Sequence, residues 1–258
     1  MANYPFCTIE PNVGIIEVPD DRLTKLAEIV ETQKIVPAAV EFYDIAGLVR
    51  GASEGAGLGN KFLSHIRETA LIVHVVRLFD DKNITHVDEV ANPKQDIETI
   101  ETELILSDLS TLDKQREPRP NAQKEEKAVW ETVQLVKEKL NQGMSARDCE
   151  LTDDQREHLK QFNLLSLKPV LFLFNVSEPQ LMDPSDTQEK IKNLLVTLKK
   201  PNNAYLYLCA KLEQELSVLS PEEQVEYLAT YNLEKSGLDR LVKSGVRLIG
   251  INFLPYCR

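Results

Sequence analysis

Several features are scarce in this chain of 258 residues, and each scarcity closes off a class of function. The four cysteines, Cys7, Cys149, Cys209 and Cys257, stand far apart. They form no C-x-x-C pair and no His/Cys cluster at zinc spacing, so neither a disulfide framework nor a zinc site is expected, and a reducing compartment fits. Basic charge is also short, with 30 Lys and Arg against 41 Asp and Glu and a net charge of -11. A surface built mainly to hold nucleic acid or anionic lipid needs a dominant basic face, so no direct DNA binding is expected, although a local basic patch is still allowed. No run of about eighteen apolar residues occurs, and the start MANYPFCTIEPN lacks the charged-then-apolar layout of a signal peptide. The expectation is a cytoplasmic protein with no membrane partner. Finally, no Gly-Lys-Ser or Gly-Lys-Thr is present, so the sequence carries no G-x-x-x-x-G-K-[ST] phosphate loop.

What is present reads as an α/β fold. Four runs rich in β-branched and aromatic residues, VEFYDIAG (40–47), ALIVHVVRLF (70–79), PVLFLFNVSE (169–178) and NAYLYLCA (203–210), are expected to be buried strands. GIIEVP (14–19) alternates weakly and suits an edge strand. Near-continuous apolar strands separated by helical stretches imply a parallel sheet covered on both faces. Between the second and third runs, Ile97, Ile100 and Leu104 share one helical stripe, and Val129, Val133, Val136 and Leu140 another. REPRPN (116–121) separates them, which predicts an inserted helical hairpin. The division expected is 1–95, a helical insertion over 96–165, and 166–258. Ser220-Pro221-Glu222-Glu223 predicts a capped helix start, and Thr152 with Gln155 and Ser185 with Gln188 repeat the box more weakly.

Three short motifs follow strands. Asp44-Ile45-Ala46-Gly47 is a D-x-x-G: an aspartate at a strand's end can hold a magnesium-bound water, and the glycine lets a backbone N–H approach a terminal phosphate. Alone, strand-Asp-turn-Gly is more often a plain turn. Asn175-Val176-Ser177-Glu178 offers an amide to brace a loop or a base, and a carboxylate that only accepts hydrogen bonds, as guanine's N1–H and 2-amino group require. A guanine site usually shows N-K-x-D, so the longer acid and the missing lysine argue against strict guanine specificity. Cys209-Ala210-Lys211 follows the next strand, where a backbone amide can meet a base or ribose. Motifs in this order at the carboxyl edge of an α/β sheet point to one ligand site.

The stretches NYPFCTIEPN, YDIAGLVRGASEGAGLGNKFLSHIRE, LFDDKNITHVDEVANPKQDIETIETEL, LLSLKPVLFLFNVSE and LSPEEQ closely resemble the YchF / Obg-like ATPase family of Obg-type P-loop NTPases. The resemblance covers most of residues 2–255 and is weakest across the hairpin. It implies a G-domain-like parallel sheet, ATP or GTP as ligand with Mg2+, hydrolysis in intact members, and ribosome association. Thr8 becomes the switch I residue on magnesium, and Asp44 with Gly47 the third-motif pair. Asn175, Val176, Glu178 and Ala210 become base-side residues, and the 51–62 glycine loop a mobile switch II. Leu48 stands where Ras-like proteins carry a water-positioning glutamine, and His86 matches a histidine proposed for that role. By residue type alone, His86 reads equally as a surface histidine, and Thr8 as a loop hydroxyl.

Family members place a strand, the phosphate loop and its helix before NYPFCTIEP, and continue after INFLPYCR into a small β-rich TGS domain. The expectation is therefore a chain shortened at both ends, with a sheet lacking its first strand. Losing several phosphate donors forfeits about 5–10 kcal/mol of nucleotide affinity. The strands over 40–47 and 70–79 would then either close together or leave unpaired edges. Three readings fit this sequence: a nucleotide-binding hydrolase, a non-catalytic module for a ribosome or protein partner, or a fragment with no activity of its own.

Overall fold

The computed structural model describes residues 12–20, 22–32, 34–45, 58–79, 92–200 and 203–250. These fold as two compact units, one drawn from the described parts of 45–72 and 95–169, the other from 12–44, 73–94 and 170–250.

In the second unit β1 (Asn12–Glu17) and β2 (Ala39–Asp44) pair antiparallel, with α1 (Arg22–Ile29) between them in sequence. This corrects one expectation. VEFYDIAG is not a buried strand of the parallel sheet: it stops at Asp44, and along β2 only Val40 and Phe42 are even half-buried. Its alternation of Val40 and Phe42 with Glu41 is that of a strand covered on one face at most, a period the aromatic content obscured. The parallel sheet contains β3 (Ile72–Arg77), β4 (Val170–Asn175) and β5 (Tyr205–Leu208), in the order β3-β4-β5. Among the described residues β2 and β3 lie in separate sheets, so they do not close together.

β4 is central and is buried from Val170 to Phe174, as its unbroken apolar run requires of a strand with both faces covered. The Ile72 amide donates to the Pro169 carbonyl (3.1 Å) and the Leu78 amide to the Asn175 carbonyl (2.9 Å), so β3 and β4 advance in the same direction. Phe172 pairs with Tyr205 and Asn175 with Leu208 in the β4–β5 register.

The first unit holds α2 (Leu58–Glu68), α3 (Pro93–Leu112), which begins two residues outside it, α4 (Lys124–Asn141) and α5 (Asp153–Lys160). The expected stripes are the ones buried: Ile97 and Leu104 on α3, and Val133, Val136 and Leu140 on α4. One core joins Ile105 and Leu112 to Val133, Val136, Leu140 and Leu159, and another packs Leu63 and Ile66 of α2 on Leu104 and Leu165. Each such side chain contributes about 1.5–3 kcal/mol on leaving water.

Polar groups lock the same unit. The buried Asp108 carboxylate accepts from the Leu165 amide (2.8 Å), the Ser166 amide (2.7 Å) and the Ser166 hydroxyl (2.6 Å). Arg67, near the end of α2, donates to the Asn163 carbonyl (3.1 Å), Ser107 Oγ (3.0 Å) and Thr111 Oγ1 (3.2 Å). Lys168 Nζ donates to the Arg67 carbonyl (3.0 Å) and to that of Thr69, supplying donors that the end of α2 cannot find within itself.

After β4 come α6 (Glu178–Met182) and α7 (Pro184–Thr197), and after β5 come α8 (Ala210–Leu216), α9 (Pro221–Thr230) and α10 (Gly237–Leu248). The boxes at Thr152 and Ser220 form as expected. The one expected at Ser185 does not: Asp183 caps α7 by accepting from the Asp186 amide (3.2 Å), with Pro184 in the first turn. An aspartate directly before a proline is the stronger start signal. Gly237, at the head of α10, is required by close approach. A Cβ there would lie 2.7 Å from Leu208 Cβ and 2.7 Å from Glu213 Oε1. Gly237→Ala is expected to cost about 1–3 kcal/mol in urea unfolding through overpacking. An unchanged midpoint would show that the α8–α10 junction yields freely.

Candidate functional site

Ligand-facing loops of a parallel sheet lie beyond the carboxyl ends of its strands. There β4 ends in Asn175 beside Leu208 of β5. The Val176 amide donates to the Leu208 carbonyl (2.9 Å), and Asn175 Oδ1 accepts from the Ala210 amide (3.0 Å). Ala210 is the first residue of α8, whose amide has no acceptor within its own helix, so a side chain from the neighbouring strand supplies one. The Asn175 NH2 has no partner among the described residues and remains a donor. On the other flank, Gln180 Nε2 donates to the Leu78 carbonyl (3.0 Å), and Gln180 Oε1 accepts from the Ser177 amide (2.9 Å). Val176 is buried and anchors the turn.

Glu178 opens α6 with its side chain 35 % exposed. Lys211 Nζ donates to Oε1 (2.6 Å) and the Tyr231 hydroxyl to Oε2 (3.4 Å). The Lys211 hydrogen bond and charge hold the Glu178 carboxyl below its ordinary range, and Glu178 in turn raises Lys211. The pair is therefore ionised at neutral pH, and Glu178 acts only as an acceptor.

The structure thus brings together Asn175, Val176, Glu178 and Ala210. Asp44 is exposed at the end of β2, opposite Asn12 in the antiparallel pair, and belongs to a different sheet. Thr8, Gly47, Leu48, His86 and residues 51–57 of the glycine loop lie outside the described residues. The motifs alone assign no role to Lys211, Gln180 or Tyr231, which complete the site. Gln180 was signalled, since it follows Ser177 by three residues in a box pattern. Tyr231 carries no local signal, because it reaches Glu178 from the end of α9. Among the described residues no group of three or more His, Cys, Asp or Glu side chains gathers as a metal cluster, and no helix is long and apolar enough to cross a membrane.

The sequence profile described as a 50S ribosome-binding GTPase matches residues 1–108. The ribosome-binding ATPase YchF of Bacillus subtilis (strain 168) is 48% identical over 254 residues, covering 97% of this chain and 69% of that protein. The chain belongs to the YchF family. The YchF of Escherichia coli O157:H7, also described as a ribosome-binding ATPase, is 38% identical over 254 residues, 97% of this chain and 69% of its own. The YchF GTPase structure from Schizosaccharomyces pombe superposes with a TM-score of 0.77 at 31% identity, covering 96% of this chain and 68% of that one. The α/β architecture with its parallel sheet is accordingly a YchF, P-loop-NTPase-like fold. In this YchF chain the N-x-x-E motif is the strand-end turn built by Asn175 and Glu178.

Proposed function

We propose that this chain is a cytoplasmic, ribosome-associated protein that binds a purine nucleoside triphosphate, ATP or GTP, together with Mg2+. The observation that carries the reading is the Asn175–Ala210 bridge at 3.0 Å, which fixes an amide side chain at the mouth between two parallel strands. Its support is family membership, since relatives at 48% and 38% identity are named ribosome-binding ATPases. In this reading the Asn175 NH2 meets the base edge, and Val176, Glu178 and Ala210 line the base side. The 96–165 helices are an insertion between the G-domain parts 1–95 and 166–258.

Asp44 and Thr8 are the residues assigned to magnesium. A carboxylate and a hydroxyl are both hard oxygen donors, which suits that ion. When bound, it neutralises charge on the phosphates. Gly47 is assigned to the terminal phosphate through its amide, and His86 to orienting the attacking water. A second reading, a partner-binding module without nucleotide turnover, is favoured by the lack of any Gly-Lys-Ser or Gly-Lys-Thr in the sequence.

Titration of fluorescent ATP and GTP analogues with Mg2+ into the full chain tests the proposal. Saturable, magnesium-dependent binding is expected, weakened at least about tenfold by Asn175→Ala, which deletes the base contact and uncaps α8. Failure of both nucleotides to bind, with ribosome pelleting retained, would establish the second reading instead.

A further inference from the structure

We infer that Lys211, assisted by Tyr231, is a specificity-determining residue: it holds Glu178 so that the base site takes a purine without reading guanine's 2-amino group. This rests on the nucleotide-binding reading above and adds the residue that sets its selectivity.

A single carboxylate recognises guanine by accepting from N1–H and the 2-amino group at once, one on each oxygen. Each oxygen of Glu178 already faces one donor, so a guanine edge would have to displace that donor or share the oxygen with it. Oε1 accepts from the Lys211 ammonium at 2.6 Å, and Oε2 faces the Tyr231 hydroxyl at 3.4 Å. The first is a short, charge-assisted bond, the stronger class.

Neither partner is loosely placed. Lys211 follows Ala210, whose amide is tied to Asn175 (3.0 Å), so the ammonium starts from a fixed point beside the base-side amide. Tyr231 directly follows α9, its ring edge-on to that of Tyr227 at 5.5 Å, and Tyr227 in turn donates to Glu215. Glu215 Oε1 lies 4.0 Å from Lys211 Nζ, so a second carboxylate flanks the same ammonium. Turning Glu178 toward a guanine edge would abandon the Lys211 bond and leave the ammonium to Glu215 at a longer distance. What remains for the base is the Asn175 NH2, a donor suited to N7, which adenine, guanine and hypoxanthine all possess. Such a contact separates purines from pyrimidines and leaves position 2 unread.

The test compares GTP with ITP, which differ only by the 2-amino group, and includes ATP, all with Mg2+ and the full chain. The wild type is expected to bind GTP and ITP within about threefold of each other. In Lys211→Ala, and more so in Lys211→Ala/Tyr231→Phe, Glu178 is freed, and GTP is expected to gain about tenfold over ITP while ATP is unchanged. The Lys211 side chain is 69% exposed, so these variants should fold. Lys190→Ala, which breaks a surface pair with Asp186, serves as the charge control and should leave the ratio at its wild-type value. A wild type that already favours GTP over ITP tenfold would overturn the inference, as would a ratio unmoved in both variants. If ATP, GTP and ITP all fail to bind the wild type, the nucleotide-binding reading falls and takes this inference with it.

Discussion

Asp108→Ala is expected to lower the unfolding free energy by about 3–5 kcal/mol, because it strips the acceptor from three donors at a buried turn. The Leu165 and Ser166 amides cannot rotate away, and both residues are themselves fully buried. Asp108→Asn separates shape from charge. One amide oxygen can replace one carboxylate oxygen, but the NH2 then faces a backbone N–H, so a loss of about 1–3 kcal/mol is expected. Urea unfolding with an unchanged slope measures both. The pH dependence has a definite sign. Burial pushes the Asp108 carboxyl above its ordinary value of 3.8, against the opposing pull of its hydrogen bonds and the Arg67 charge. A carboxyl raised in the folded state binds its proton more tightly there than in the unfolded chain. Its relief of the burial cost is complete below about 3.8 and is lost as pH rises through the folded value. The gap between wild type and Asp108→Asn should therefore widen on acidification across that window. A gap that narrows instead would mean that hydrogen bonding outweighs desolvation at this carboxyl.

Phe172→Ala should cost a similar amount, about 3–5 kcal/mol, by cavity formation in the parallel sheet. Phe172 is fully buried on the central strand, with its ring 5.7 Å from that of His74 and 6.4 Å from that of Phe174, which stands edge-on to Tyr205 at 6.4 Å. The deletion therefore loosens β3, β4 and β5 together. Because β4 ends in Asn175, nucleotide affinity should fall with stability, whereas Phe172→Leu should retain more of both. Thermal unfolding paired with the analogue titration reads this out. A stable Phe172→Ala variant would show that the core around β4 collapses to fill the space.

Much of this architecture was legible because its signals are local. The short apolar run at 170–174, rich in aromatic and branched residues, reads as a strand covered on both faces, and the stripes through Leu104 and Val133 read as helices with one buried side. VEFYDIAG misled for a physical reason. Its valine and aromatics promote strand formation whichever sheet receives them, and the choice between a parallel interior and an antiparallel pair with β1 is made by partners distant in sequence. The candidate site divides along the same line. Asn175 and Glu178 were visible as a motif, and the Ala210 amide followed from the strand before it. The tie of Tyr231 to Glu178 spans 53 positions and depends on where α9 ends, which no window of sequence contains. Asp108 gave no warning either, since an acid between Ser107 and Leu109 on a helix looks like an ordinary solvated residue until the 164–166 turn arrives over it.

The way the chain is shared between its units sets the order in which they can be completed during synthesis. Among the described residues it passes from one to the other after 44, 72, 94 and 169. The helical unit has its last described segment once residue 169 has left the ribosome. The sheet unit begins earlier but must wait for β4 and β5, holding β3 without its neighbour while roughly a hundred further residues emerge, for several seconds at ordinary elongation rates. β3 is then a strand rich in valine and isoleucine with open edges, exposed to premature pairing until β4 and β5 arrive.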